Sequence, residues 1–467
     1  MSLARIGLIG LGVMGSSLAK NLIHHGFDTS LFSISEEERN HFRVNNKEGG
    51  YTISDSLEKF VRGIERPRKI LLMVTAGDAV DSVSEALVPF LDRGDIIIDG
   101  GNSYYKDTNR RRKHYEKKGI EFVGLGISGG EKGALNGPSM MFGGSVESWS
   151  ACKEILQAIA ARADGHSCCG YVSEEGSGHY VKMVHNGIEY GNLQLIAEAY
   201  YFMKQALHMN ADECSRVFLE WSRGRLSSYL TEIAAVVLKK KEDGSNLVDK
   251  IKDVAGQKGT GMWTLGEGIE RRVYLPTIYE AVSMRNYSAV RRMAGSKQSG
   301  VIKPAENTER NPADRTRLLA GLESALYISQ LCCYAQGLEL IQKASEELGW
   351  RVNLANVGSL WKNGCIIRSK LACEIVDGLI ANESVDNILY LNKFNELEQE
   401  IAEYRHIAAF SAENGICVPA LQASLTYYDA YHMEKMPINL IQGLRDCFGA
   451  HTYERIDRKG TFHSTWE

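Results

Sequence analysis

Lys182, His185, Asn186 and Glu189 fall at i, i+3, i+4 and i+7 within Gly176 to Tyr201, GSGHYVKMVHNGIEYGNLQLIAEAYY. On a helix these four side chains project from one side. An amine, an imidazole, a carboxamide and a carboxylate on one face could serve two proton transfers at different atoms of a substrate. The plainer reading is an ion-paired, solvated face. Gly187 and Gly191 bear on the choice, because each costs roughly 1 kcal/mol relative to Ala inside a helix. Something must need their lack of bulk, either a close backbone or a bound ligand. Val181, Val184, Ile188 and Leu195 make the apolar stripe of the same stretch.

A second group suits an anion. Ala255-Gly256-Gln257-Lys258-Gly259-Thr260-Gly261 is a polar, glycine-rich run between helices, and Arg445-Asp446-Cys447-Phe448-Gly449-Ala450-His451 lies near the C-terminus. Lys258, Thr260, Arg445 and His451 each pass for surface residues. With Arg285 they would also make a phosphate cage, since phosphate favours Arg, Lys and hydroxyl or backbone donors.

A third group suits a dinucleotide. Arg5 to Ile9 is a short apolar strand, Gly10-Leu11-Gly12-Val13-Met14-Gly15 follows, and Ser16 to about His25 is helical. Strand, GxGxxG and helix in this order form a dinucleotide fingerprint, the glycines bringing a pyrophosphate close to the helix N-terminus. A tight turn without ligand is the alternative. The second strand, Asp28 to Phe32, runs into Ser33-Ile34-Ser35 and Glu36-Glu37-Glu38-Arg39, which is neither a plain NAD acid nor a plain NADP arginine.

The elements that position these groups alternate. Strands at Lys69–Val74, Asp95–Asp99 and Glu121–Leu125 are interleaved with helices at Ala79–Phe90 and Tyr104–Lys118. This predicts a parallel, doubly wound Rossmann-like sheet with ligands beyond the carboxyl ends of its strands, where Asn102 and Ser128-Gly129-Gly130 fall. After residue 176 the strand pattern stops, no proline occurs between Pro138 and Pro276, and long helices take over. A weak repeat is visible there. Leu195-Ile196 followed by Trp221-Ser222-Arg223-Gly224 and Glu232-Ile233 echoes Leu340-Ile341, Trp361-Lys362-Asn363-Gly364 and Glu374-Ile375. The alignment sets Tyr327, Gln330, Leu331 and Tyr334 opposite the acid–base set, so the second copy supplies core and subunit contacts. The division expected is 1–176 dinucleotide-binding, 177–440 all-helical, and 441–467 a C-terminal tail.

With 467 residues, 44% hydrophobic and 24% charged, the chain has the composition of an ordinary soluble protein of two or three domains. A net charge of −4 suggests neither nucleic acid nor an anionic membrane as partner. No apolar run approaches the roughly 18 residues of a membrane helix, and the start MSLARIGLIG leaves no room for a signal peptide. The ten cysteines, Cys168-Cys169 and Cys332-Cys333 among them, show no CxxC and no zinc spacing, as expected of buried thiols in a reducing cytoplasm.

The runs GLGVMG, IIIDGGNS, SGGEKGA, GPSMM, VKMVHNGIEYG, AGQKGTG and RDCFGAHTYE, in this order over nearly the whole chain, resemble the decarboxylating 6-phosphogluconate dehydrogenase family. The resemblance implies oxidation of 6-phosphogluconate to ribulose 5-phosphate and carbon dioxide, in the pentose phosphate pathway and gluconate utilisation, by a cytoplasmic homodimer with shared active sites. It implies Lys182 as general base and Glu189 as general acid. Asn102, Ser128, Gly129, Gly130, His185 and Asn186 would hold the sugar acid. Tyr190, Lys258, Thr260 and Arg285 would hold its phosphate, and Arg445 and His451 would come from the other subunit's tail. NADP is the family's cofactor, with NAD as the alternative. Gly10, Leu11, Gly12, Val13, Met14, Gly15, Ser33, Ile34, Ser35, Val74, Thr75, Ala76 and Asn102 would line its site. Neutral Lys182 would take the hydroxyl proton and, once protonated, polarise the ketone, so the chemistry asks for no metal. This sequence departs from the family where Ser33-Ile34-Ser35 replaces Asn-Arg-Thr and Thr75 a Lys, the two cations that face the 2′-phosphate. Phe142 also replaces a Pro, and Met262 a Lys. A related β-hydroxyacid dehydrogenase acting on another anionic sugar acid, or a non-catalytic sugar-phosphate-binding paralogue, are the other readings.

Overall fold

The computed structural model describes residues 3–293, 312–382 and 385–466. The chain begins as alternating strands and helices: β1 (Ile6–Ile9), α1 (Val13–His24), β2 (Thr29–Phe32), α2 (Glu36–Asn45), β3 (Tyr51–Ile53), α3 (Leu57–Arg62), β4 (Lys69–Leu72), α4 (Asp78–Leu87), β5 (Ile96–Asp99), α5 (Tyr105–Glu116) and β6 (Glu121–Ser128). Then come α6 (Gly130–Asn136), β7 (Ser139–Gly143), α7 (Val146–Ile159), a two-residue hairpin β8 (Arg162–Ala163) and β9 (His166–Ser167), and β10 (Cys169–Ser173). Eight strands form one sheet in the order β10-β7-β6-β5-β4-β1-β2-β3. Strand β1 has β2 on one side and β4 on the other, so the winding reverses there, and ligands bind in the crevice at such a reversal.

The sheet is doubly wound and Rossmann-like but not wholly parallel. Strand β7 runs antiparallel to β6, and β10 then pairs with β7 in parallel. The connection from β6 to β7 is a single seven-residue helix, α6, too short for the dozen or more residues of a parallel crossover. Both faces are covered: Leu8, Leu31, Ile98 and Leu125 pack on one side, and Ile70, Leu72, Ile97 and Phe122 on the other.

The remainder is helical: α8 (Ser177–Leu207), α9 (Ala211–Trp221), α10 (Tyr229–Lys239), α11 (Thr260–Glu270), α12 (Pro276–Met293), α13 (Pro312–Glu347), α14 (Leu354–Leu360), α15 (Lys370–Ala381), α16 (Glu398–Glu413), α17 (Pro419–His432) and α18 (Ile438–Gly449). Two short hairpins interrupt it, β11 (Lys241–Glu242) with β12 (Ser245–Asn246), and β13 (Tyr453–Glu454) with β14 (Thr461–Phe462). Helices α8 and α13 pack together, and Ser228 and Ser369, the N-caps of α10 and α15, form an antiparallel bridge. At the positions opposite the acid–base set, Tyr327, Gln330, Leu331 and Tyr334 are all buried. Tyr327 hydrogen-bonds Glu374 and Tyr334 donates to the Ile367 carbonyl, so this copy is core. By length and composition α13 could cross a bilayer, from Ala313 to Glu347; 83% of its most apolar window is buried within the protein, which accounts for its character.

Candidate active site

Helix α8 begins on the sheet. Its start lies so close to β6 and β7 that a Cβ on Gly178 would stand 2.4 Å from the Met141 carbonyl oxygen and 2.6 Å from that of Gly124. A Cβ on Gly126 of β6 would come within 2.5 Å of the Lys182 Cβ. These glycines let a helix backbone rest on a strand, and they set Lys182 beside the carboxyl end of β6. Further along, Gly187 faces Thr264 of α11, and Gly191 faces Cys333 of α13, where an added Cβ would lie 2.7 Å and 2.3 Å from the nearest atoms. Packing, not a ligand, is what needs the two helix glycines.

The reading of this helix as a solvated, ion-paired face does not hold. Lys182 is 5% exposed, His185 0% and Asn186 8%. Lys182 Nζ donates to Asn186 Oδ1 at 2.5 Å and lies 3.3 Å from His185 Nδ1. Ser128 Oγ, from the end of β6, is 3.2 Å from His185 Nε2. Trp361 meets the His185 ring edge-on with centroids 5.7 Å apart. Loss of hydration holds the Lys182 amine below its ordinary range, although Glu189 and Cys365 pull the other way. Burial, and then the charge of Lys182, push the His185 imidazolium well down. Burial raises the Glu189 carboxyl despite Lys182 and Arg285. Low dielectric thus favours a neutral amine and a neutral acid on one helix face, the states a base and an acid need before they act.

The anion group is brought together in part. Thr260 opens α11 and is buried, with Gly259 as its N-cap at φ +90 and no side-chain cap, so the orphan N–H groups of this helix end are not taken by a side chain. The Arg285 guanidinium lies 3.6 Å over the Tyr190 ring, next in sequence to Glu189, and Arg285 Nη1 reaches the Gly256 carbonyl at 3.5 Å. Lys258 is exposed on the same loop, and Met262 is half exposed on the first turn of α11. Arg445 and His451 are not brought in by this chain. Both are exposed, Arg445 bonding Gln442 and His451 packing on Phe448 within the tail.

The dinucleotide group lines the reversal point. Gly10 has φ +99, and a Cβ on Gly15 would stand 1.9 Å from the Gly10 carbonyl oxygen, so both positions exclude side chains. Leu11 is buried, while Gly12 and Val13 are exposed and Met14 is partly so. Gly12 caps α1 with no side-chain hydrogen bond, which suits a pyrophosphate. Val74, Thr75 and Ala76 follow β4, with Val74 against Gly10 on one side and Gly101 on the other. Asp99 organises the next turn: Gly101 N–H and Ser103 Oγ donate to it at 3.0 and 2.6 Å, leaving Asn102 exposed. Gly129 and Gly130 have φ +129 and +62. A Cβ on Gly129 would lie 2.6 Å from the Gly364 carbonyl oxygen of the second repeat, a requirement invisible in the local sequence. These residues fit a nicotinamide dinucleotide.

Sequence reasoning missed three supports. Buried His179 joins Thr108 Oγ1 at 2.7 Å to the Asp99 carbonyl at 3.0 Å, tying α8 to the Asn102 turn. Glu267 of α11 accepts from Tyr104 and Tyr105, both at 2.9 Å, tying α11 to α5. Glu38 turns back over Ser33; the Ser35-x-x-Glu38 capping spacing carried that signal.

Family models match twice: the NAD binding domain of 6-phosphogluconate dehydrogenase over residues 5–173, and the 6-phosphogluconate dehydrogenase C-terminal domain over 178–466. The chain is 44% identical over 474 residues to the NADP(+)-dependent, decarboxylating 6-phosphogluconate dehydrogenase of Bacillus subtilis, covering all of both proteins. It is 45% identical over 476 residues to the decarboxylating enzyme of Synechococcus elongatus, again end to end. Among solved structures it is similar to Plasmodium falciparum 6-phosphogluconate dehydrogenase, described in its apo form and in complexes with NADP+ and with 6-phosphogluconate. The TM-score is 0.93 at 38% identity, over 99% of this chain and 100% of that one.

Proposed function

The chain belongs to the decarboxylating 6-phosphogluconate dehydrogenase family, and from that premise we propose that it oxidises 6-phospho-D-gluconate to D-ribulose 5-phosphate and carbon dioxide with NADP as acceptor. The observation that carries this reading is the buried Lys182–Asn186–His185–Ser128 chain with Glu189 farther along the same helix. Gly10 to Gly15, Ser33 to Ser35, Val74 to Ala76 and Asn102 would hold the cofactor, which when bound would supply a hydride acceptor for the alcohol carbon. Neutral Lys182 takes the hydroxyl proton as that bond breaks. Protonated Lys182 then hydrogen-bonds the new ketone oxygen and draws charge toward it as carbon dioxide leaves. Glu189 donates a proton to the carbon of the enediol that remains. Asn102, Ser128, Gly129, Gly130, His185 and Asn186 orient the sugar acid, and Tyr190, Lys258, Thr260 and Arg285 hold its phosphate.

The working molecule is a cytoplasmic homodimer in three parts, residues 1–176, 177–440 and 441–467, with no nucleic acid or membrane partner. Arg445 and His451 complete the partner subunit's site. Two features support this. The tail folds on itself around Asp446, which accepts from Thr452 N–H, His463, Ser464 N–H and Trp466. Its helix α18 leaves Ile438, Ile441, Leu444 and Phe448 each more than half exposed, an apolar surface that a monomer rarely leaves open.

Lys182→Ala should lower kcat by about 10² to 10⁴ while calorimetry still detects 6-phosphogluconate binding. Mixed with an inactive Arg445→Ala chain under conditions where subunit exchange is demonstrated, it should regain activity. Near-normal turnover of Lys182→Ala would remove the base. Heterodimers without recovery would remove the shared site.

A further inference from the structure

The adenosine end of the dinucleotide site carries a carboxylate. Glu38 lies in the first turn of α2, three residues after the N-cap Ser35, and turns back over the end of β2. Its Oε2 accepts a hydrogen bond from Ser33 Oγ at 2.6 Å. Its Oε1 is 3.8 Å from the point where a Cβ on Gly12 would stand. The carboxylate therefore bridges the glycine-rich loop and the end of the second strand, the two walls between which the adenosine ribose lies in this fold.

The other groups at that end do little to welcome a phosphate. The Ser33 hydroxyl spends its proton on Glu38 and accepts the Ser35 N–H at 3.2 Å, while Ser35 Oγ accepts the Glu38 N–H at 3.1 Å and offers one neutral O–H. Ile34 is 86% exposed and carries no charge, and neither does Thr75. Arg39 is the nearby cation, and it donates Nη1 to the Ser33 carbonyl.

We propose that Glu38 is the specificity-determining residue of the adenosine subsite: its carboxylate accepts hydrogen bonds from the ribose diol and opposes a 2′-phosphate, so that NAD serves this chain alongside NADP. An ionised carboxylate only accepts, and the ribose diol supplies two donors. A 2′-phosphate supplies no donor and brings about −1.5 to −2 charges to the same place. Arg39, on the same turn, offsets part of that repulsion and keeps NADP usable. The inference rests on the dehydrogenase reading above.

The test separates the two claims. Calorimetry on the wild type and Glu38→Gln would measure affinity for adenosine 5′-monophosphate and for adenosine 2′,5′-bisphosphate. Turnover of 6-phosphogluconate would give kcat/KM with NAD and with NADP. Glu38→Gln should shift the affinity ratio toward the bisphosphate by about tenfold or more, the size of one charged hydrogen bond. The kcat/KM ratio should move the same way. A smaller shift, or equal changes for both nucleotides, overturns the proposal. If Glu38→Gln melts too early to use, the wild type decides: kcat/KM for NAD within about a hundredfold of NADP supports the proposal, and a wider gap overturns it. Should neither cofactor turn over, the dehydrogenase reading fails, while the nucleotide affinities still decide the role of Glu38.

Discussion

Burial moves Lys182 and Glu189 in opposite directions, the amine down and the carboxyl up. The neutral amine therefore persists to lower pH than an exposed lysine allows, and the neutral acid to higher pH than an exposed glutamate allows. As base, Lys182 loses activity when pH falls through its lowered value; as acid, Glu189 loses activity when pH rises through its raised value. The kcat profile should be a bell narrower than two exposed groups would give. Glu189→Gln should lower kcat by about 10² to 10⁴ and leave one limb, on which kcat rises with pH as Lys182 deprotonates. Two surviving limbs would assign the proton donor elsewhere. The residue types and the i, i+3, i+4, i+7 spacing made this face legible in the sequence. Its burial was not legible, because Ser128 and Trp361 reach it from far along the chain. Glu38 was hidden among three consecutive glutamates, of which only the capping spacing picks out one.

Helix α8 is held in place by what it lacks. Gly178 faces backbone atoms of β6 and β7 that have no side-chain freedom to yield, so Gly178→Ala should destabilise by about 1–3 kcal/mol as overpacking. Gly266, exposed inside α11 with nothing within 4 Å of an added Cβ, makes the opposite case. Gly266→Ala should stabilise by up to about 1 kcal/mol through helix propensity. Thermal melts of the two variants should move in opposite directions, and a common direction would show that close approach is not what Gly178 provides. The sequence marked most strands of the sheet and the change to long helices. It did not mark β3, β7 or β10. Their pairing depends on an antiparallel turn through α6 and on edges with no periodic signature, and register of this kind is set by tertiary context.

At the scale of the whole molecule, a Rossmann-like sheet is followed by a largely helical part whose long helices α8 and α13 pack together. Helix α8 carries Lys182, His185, Asn186 and Glu189, whereas Tyr327 and Tyr334 of α13 bond Glu374 and the Ile367 carbonyl. The sequence shows a faint echo of Trp-x-x-Gly, and the two helices that follow it, α10 and α15, are joined by a bridge between their N-caps Ser228 and Ser369. What the tail meets was never legible: among the described residues, Arg445 bonds Gln442 and His451 packs on Phe448, both within the tail. The account stands on coupling of oxidation to decarboxylation at one site. The most direct measurement supplies the purified chain with 6-phosphogluconate and NADP, and follows reduced-cofactor absorbance and released carbon dioxide together. Equimolar appearance of the two, abolished together by Lys182→Ala, is the predicted result; cofactor reduction without carbon dioxide, or no reduction at all, would contradict it.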